Sequence, residues 1–212
     1  MLEVLILDFD GVIVESNDVK TEAFRELFSR FPEHSQSMMA YHHTHISVTR
    51  FAKFDHLLTL VGRPGDPKLR SELADRFSEL VFERMLSVPL VPGADSFLRK
   101  MTTKVPVYLA SVTPAEELEK ILCHRELDHW FRGVYGCPPW TKPKAIVDVL
   151  ARERVTPEKA LLIGDSGGDQ RAALETGIRF LARDSGLSFD DPTPRSFPDM
   201  NRLGDHLAGC LP

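Results

Sequence analysis

The chain opens with Leu2-Glu3-Val4-Leu5-Ile6-Leu7-Asp8-Phe9-Asp10-Gly11, an apolar run the length of a buried strand that delivers two carboxylates at its C-terminal end. Open α/β sheets bind their ligands at that end. Residues i and i+2 of a strand point the same way, so Asp8 and Asp10 can reach one site as the strand frays. Gly11 lets the backbone turn away or come close to a ligand. Such a pair can hold a divalent cation and divide nucleophile and acid/base roles between its members. The plainer alternative is a strand ending in a solvated acidic turn.

Short β-rich runs alternate with helical patterns over most of the chain. Strands are expected at 105–110, 130–135, 160–163 and 178–182, with helices from Pro114 toward His124, at 144–152 and at 169–176 between them. Thr113-Pro114-Ala115-Glu116 reads as a capping box with proline at the first helical position. Gly177 closes the last of these helices. Such alternation means a parallel sheet with crossover helices. The stretch from Asn17 to Ser87 breaks it and reads as helices only: 19–31, a less regular piece around 37–42, 48–61 and 68–86, the last two joined by Arg63-Pro64-Gly65-Asp66-Pro67. About 70 residues are too many for one crossover. The expected architecture is therefore an α/β, Rossmann-like parallel-sheet core (1–16 and 88–212) with an inserted all-helical cap (17–87). Residues 184–198, rich in Pro, Asp and Ser, read as an ordered surface loop before a short final helix.

Three further segments carry chemistry. Leu109-Ala110-Ser111-Val112-Thr113 ends a strand beside a helix N-terminus, where a hydroxyl and free N–H groups suit an oxyanion such as a phosphoryl group. Thr113 is expected to cap the helix, leaving Ser111 for function. Thr141-Lys142-Pro143-Lys144 offers a lysine that can neutralise a transferring phosphoryl group, and spacing alone does not decide between Lys142 and Lys144. Leu161-Leu162-Ile163-Gly164-Asp165-Ser166-Gly167-Gly168-Asp169 places one acid at a strand end and another in the first turn of the next helix. Hard divalent cations want such oxygen-rich shells. A helix cap with a dipole-stabilised acid is the alternative for that motif taken alone.

In this order and at these strand ends, Asp8-Phe9-Asp10-Gly11, Ser111, Lys142 and Gly164-Asp165 with Asp169 resemble the haloacid dehalogenase superfamily, most closely its phosphoglycolate phosphatase and beta-phosphoglucomutase branch. The helical insert stands where that family carries its alpha-helical cap. The resemblance implies Asp8 as nucleophile, through an aspartyl-phosphate, and Asp10 as acid and then base. It also implies Mg2+ held by Asp8, the Asp10 carbonyl and Asp165 with Asp169 close by, Ser111 on a phosphoryl oxygen and Gly11 near the substrate. Lys142 takes the lysine role, because Ile146 and Val149 then fall on the apolar face of its helix. Val112 departs from the asparagine that often follows the serine or threonine. For substrate selection the cap offers Lys20, Arg50 and Lys53, the last two within His45–Phe54, a segment resembling the family's site-facing cap stretch. A small phosphorylated metabolite is the expected partner. A phosphomutase, a phosphonate hydrolase using a cap lysine such as Lys20 or Lys53, and a non-enzymatic phospho-acceptor switch are the alternatives. Receiver domains argue against the last, being about 120 residues without a helical insert. The second acid, Asp10, disfavours carbon–halogen cleavage.

Other classes fit poorly. A formal net charge of −5 gives no basic footprint for nucleic acid. No apolar stretch approaches the roughly 20 residues that span a bilayer, and the apolar start lacks the features of a signal peptide. Cys123, Cys137 and Cys210 are few and odd in number, as in a reduced intracellular protein. A cytoplasmic monomer or homodimer is expected. His42-His43-Thr44-His45 lacks the two spaced ligand pairs of a zinc site, and Cys137 reads as a packing residue.

Overall fold

The computed structural model describes residues 1–45 and 48–209; Ile46 and Ser47 of the His45–Phe54 segment, and Cys210, lie outside the described residues. The chain divides into two compact units, one made of Met1–Glu15 and the chain from Val88 onward, the other of Ser16–Ser87.

The first unit is built on a six-stranded, wholly parallel sheet. Its strands are β1 (Val4–Leu7), β2 (Val107–Ser111), β3 (Gly133–Gly136), β4 (Ala160–Gly164), β5 (Arg179–Arg183) and β6 (Ser196–Phe197), in spatial order β3-β2-β1-β4-β5-β6. β1 has every residue buried, as a central strand covered on both faces requires. It pairs with β2 on one side (Ile6 with Tyr108) and with β4 on the other (Ile6 with Leu162). The chain winds outward from β1 through β2 and β3, then restarts at β4 and winds the other way. The order therefore reverses between β1 and β4, and the carboxyl ends of those strands form the switch point at which open α/β sheets bind ligands.

The second unit holds α1 (Asn17–Ser29), α2 (Pro32–Thr44), α3 (Arg50–Leu60) and α4 (Pro67–Met85). Its interior is organised around Phe24, whose ring lies 4.2 Å from Phe77, 4.7 Å from His42, 5.3 Å from Phe28 and 6.2 Å from Phe54, centroid to centroid. Back in the first unit, α5 (Ala94–Met101), α6 (Ala115–His124), α7 (Lys142–Glu153), α8 (Gly167–Thr176) and α9 (Met200–Leu207) complete the described helices. Ile146, Val149, Ala172 and Ala173 of α7 and α8 pack with Val4, Ile6 and Leu162 in one core cluster. No helix among the described residues is long and apolar enough to cross a membrane.

Four local expectations are corrected. The irregular piece around 37–42 is the full helix α2, whose only buried residues are Met38 and His42, so its apolar stripe is too sparse to announce a helix. A short 3-10 turn at Asp128–Trp130 takes up the start of the expected third strand and moves β3 to Gly133–Gly136. The 184–198 segment contains β6, which is two residues long. The capping box at 113–116 does not form: Pro114 occupies the N-cap of α6, and no side chain caps that end.

The interior of the second unit also buries a polar pair. Lys53, 2% exposed, donates to His42 Nδ1 at 2.9 Å, and His42 Nε2 lies 3.0 Å from Thr21 Oγ1. Burial first, then the neighbouring Lys53, His43 and Arg25 charges, holds His42 down to about 4, from its ordinary 6.5. The folded unit thus rejects a proton that the unfolded chain accepts. Stability from this site is present above about 6.5 and is lost as the pH falls toward 4. Denaturant unfolding of the parent and of His42→Gln at pH 7 and pH 5 checks this. The parent should lose more stability on acidification than the variant, and equal losses would contradict the assignment.

Candidate active site

β1 hands the chain directly to Asp8, whose N–H donates to the Ile163 carbonyl at 2.9 Å and prolongs the ladder with β4 by one residue. Asp8 and Asp10 are 5% and 7% exposed. After Asp10 the backbone reverses at Gly11, which has φ +70°, a left-handed conformation that glycine adopts without strain. The turn is closed by the Gly11 N–H to the Val14 carbonyl at 2.8 Å and the Ile13 N–H to the Phe9 carbonyl at 2.9 Å.

From the neighbouring β4, Gly164 leads into Asp165 and then α8. Ser166 caps α8 and Asp169 closes the capping box, its carboxylate accepting from the Ser166 N–H at 3.2 Å and the Ser166 hydroxyl at 2.6 Å. A Cβ at position 164 would fall 2.3 Å from Asp169 Cβ, so only glycine lets this acid come so close to the strand end. Asp8, Asp165 and Asp169, all buried, bring carboxylate oxygens within 4.8 Å of one another. Three converging oxygen donors are the chemistry a hard cation such as Mg2+ requires, so these residues fit the implied metal.

Lys142 stands at the first turn of α7 and reaches into the same place. Its Nζ lies 2.8 Å from Asp8 Oδ2 and also bonds Asp169 Oδ1. Lys144 is exposed, so of the two lysines it is Lys142 that reaches the acids. Burial pushes the Asp8 carboxyl well above the ordinary carboxylate range, with Asp169, Asp165 and Asp10 pushing the same way against the pull of Lys142. For Lys142 burial is the largest influence and acts downward, but Asp169 and Asp8 together outweigh it and hold the ammonium well above the usual lysine range.

Ser111, at the end of β2, is 2% exposed, and its hydroxyl accepts the Thr113 N–H at 3.1 Å. Thr113 is not the helix cap its sequence suggests. It is equally buried and donates its hydroxyl to Asp10 Oδ2 at 3.2 Å. The two acids after β1 therefore differ in surroundings: Asp8 is ion-paired to a lysine, and Asp10 is held by a hydroxyl.

Arg183, at the end of β5, was also not singled out by the sequence. Its Nη1 donates to Glu15 Oε2 at 2.9 Å and to the Gly11 carbonyl at 3.3 Å, and its Nη2 bonds Glu15 Oε1. No local signal marks it, because its partners are 168 and 172 residues away.

Within the helical unit, Arg50 donates to Ser78 Oγ at 3.0 Å and lies 4.7 Å over the Phe77 ring, and Lys20 is half-buried on α1. Lys53, the third cation considered for substrate, has its ammonium inside this unit on His42 and 4.9 Å over the Phe24 ring.

If Lys142 is the cation that holds the acids together, Lys142→Met should lower unfolding free energy by about 3–5 kcal/mol without metal. Millimolar magnesium should then recover more stability in the variant than in the parent. Thermal denaturation with and without magnesium reads both effects, and an unchanged midpoint in the variant would contradict the pairing.

Residues 5–183 match the haloacid dehalogenase-like hydrolase family. The chain is 26% identical over 153 residues to phosphoglycolate phosphatase of Pseudomonas putida and 27% identical over 153 residues to phosphoglycolate phosphatase 1 of Pseudomonas aeruginosa. Those alignments take in 69% and 70% of this chain but 55% of each relative, so the chain spans about half the length of the curated relatives it matches. A haloacid dehalogenase-like family hydrolase from Streptococcus pneumoniae has the same fold, with a TM-score of 0.73 at 20% identity over 97% of this chain and 98% of that one. With the acid pair after β1, the lysine on α7 and the acids flanking the start of α8 in place, the chain belongs to the haloacid dehalogenase-like hydrolase family.

Proposed function

We propose that this chain is a magnesium-dependent phosphatase that hydrolyses a small phosphomonoester through an aspartyl-phosphate on Asp8. The observation that carries this reading is the unequal environment of two carboxylates two residues apart. Asp8 is salt-bridged to Lys142, and Asp10 accepts a hydroxyl hydrogen bond from Thr113. Titratable groups whose surroundings differ in this way divide acid, base and nucleophile roles.

The Asp8 carboxylate attacks phosphorus, forming an O–P bond as the bond to the leaving oxygen breaks. Asp10 gives that oxygen its proton, then takes one from the water that releases phosphate from Asp8. Ser111 holds a phosphoryl oxygen, and Lys142 offsets charge on the group in transit. Magnesium, held by Asp8, the Asp10 carbonyl and Asp165 with Asp169 beside them, would supply positive charge that favours ionised Asp8 and neutralises phosphoryl oxygens.

The helical unit serves in this reading as the cap that selects substrate. Arg50 and Lys20 are its recognition cations, and an arginine suits a second anionic group on the substrate. The names of the two Pseudomonas relatives support a small phosphorylated metabolite of the phosphoglycolate kind. The unpaired thiols Cys123 and Cys137 support a reducing compartment such as the cytoplasm.

Phosphate release from a panel of small phosphoesters, with magnesium and with chelator, tests the proposal. Turnover should require magnesium and vanish in Asp8→Asn, and Asp10→Asn should slow it by about 10²–10⁴-fold. Undiminished release by Asp8→Asn would overturn the assignment of the nucleophile.

A further inference from the structure

Arg183 is buried at the end of β5, on the far side of β4 from β1, yet its guanidinium hydrogen bonds fall on the segment that follows Asp10. It forks across both oxygens of Glu15 and reaches the Gly11 carbonyl, which belongs to the residue directly after Asp10. Its Nε is buried with no hydrogen-bond partner among the described residues, so the group is held there by those contacts and at some expense. The segment it grips is otherwise a tight turn. Gly11 sits at φ +70°, Ile13 and Val14 donate back to Phe9, and the far end is pinned by Val91 N–H to the Ile13 carbonyl at 3.0 Å and Glu15 N–H to the Pro89 carbonyl at 3.0 Å. Inside the turn the Gly11 carbonyl faces a cation that is charged at all working pH values and whose planar fork a lysine cannot reproduce.

We infer that Arg183 is a positioning residue for Asp10: through the Gly11 carbonyl and Glu15 it fixes the turn that aims the acid/base carboxyl at the leaving oxygen. Displacements of about 1 Å at a reacting group can cost about 10²-fold in rate, so a turn loosened on one side is expected to weaken catalysis while leaving the fold intact. The inference rests on the phosphatase reading.

The experiment compares the parent with Arg183→Lys, Arg183→Met and the milder Glu15→Gln at saturating magnesium. An alkyl phosphate needs a proton on its leaving oxygen, whereas 2,4-dinitrophenyl phosphate does not. Misplacing Asp10 should therefore lower kcat/KM for the alkyl ester by about 10–100-fold and leave the activated ester much less affected. A purely structural role would lower both alike. In parallel, amide hydrogen exchange should quicken across Gly11–Glu15 in Arg183→Met and stay unchanged in β2. Equal losses on the two esters, or exchange at Gly11–Glu15 no faster than in the parent, would overturn the inference. A parent that releases phosphate from neither ester would instead overturn the phosphatase reading, whatever the exchange shows, and the inference with it.

Discussion

Bringing carboxylate oxygens of Asp8, Asp165 and Asp169 within 4.8 Å of one another at a buried site is electrostatically adverse, since each like charge raises the free energy of ionising the next. Lys142 answers that problem by bonding Asp8 and Asp169 at once. Its position at the start of α7 is the wrong end of a helix for a cation, because the helix dipole there favours negative charge. The lysine stays because two carboxylates outweigh the dipole. Much of the local architecture follows from keeping this contact: Gly164 admits Asp169 to the strand end, Ser166 holds its other oxygen, and Ile146 and Val149 anchor α7 against the sheet. Local preferences that are broken in this way tend to mark functional positions.

The reversal of strand order between β1 and β4 supplies the geometry that this charge arrangement exploits. β1 contributes Asp8 and Asp10, β4 contributes Asp165, and each acid emerges at the same end of the sheet because the strands are parallel. A second tier holds the first in place. Thr113 holds Asp10 from the β2 side, and Arg183 holds the turn beyond it from the β5 side. The acid/base candidate is thus gripped from both flanks of the sheet, whereas Asp8 is held by the lysine and by the neighbouring Phe9 N–H at 2.8 Å.

What could be read from the sequence was what local periodicity and spacing encode. The buried β1 run, the acids at strand ends and the glycine that ends β4 before Asp165 are visible because strand period, apolar content and motif spacing are all short-range. The interruption by helices from Asn17 to Ser87 is visible because it is too long for a crossover. Contacts between distant residues were not legible. Spacing alone leaves Lys142 and Lys144 open; the apolar positions Ile146 and Val149 favour Lys142, and its bonds to Asp8 and Asp169 could not be read from the sequence. Thr113 was misread because Thr-Pro-Ala-Glu spells a capping box in one dimension, whereas the chain places Pro114 at the cap and turns the threonine inward toward Asp10. Arg183 falls just past the expected 178–182 strand and carries no local signal, since Glu15 lies 168 residues earlier. Lys53 reads in the sequence as a cation for substrate selection, and its burial depends on His42 from another helix.

The central claim is that Asp8 itself carries the phosphoryl group during turnover. The most direct measurement is to quench the enzyme with acid during turnover, reduce it with borohydride and locate the product by peptide mass spectrometry. An acyl phosphate on Asp8 is reduced to homoserine, so the predicted result is homoserine at position 8, dependent on substrate and magnesium. Homoserine at another acid, or none during active phosphate release, would contradict the account.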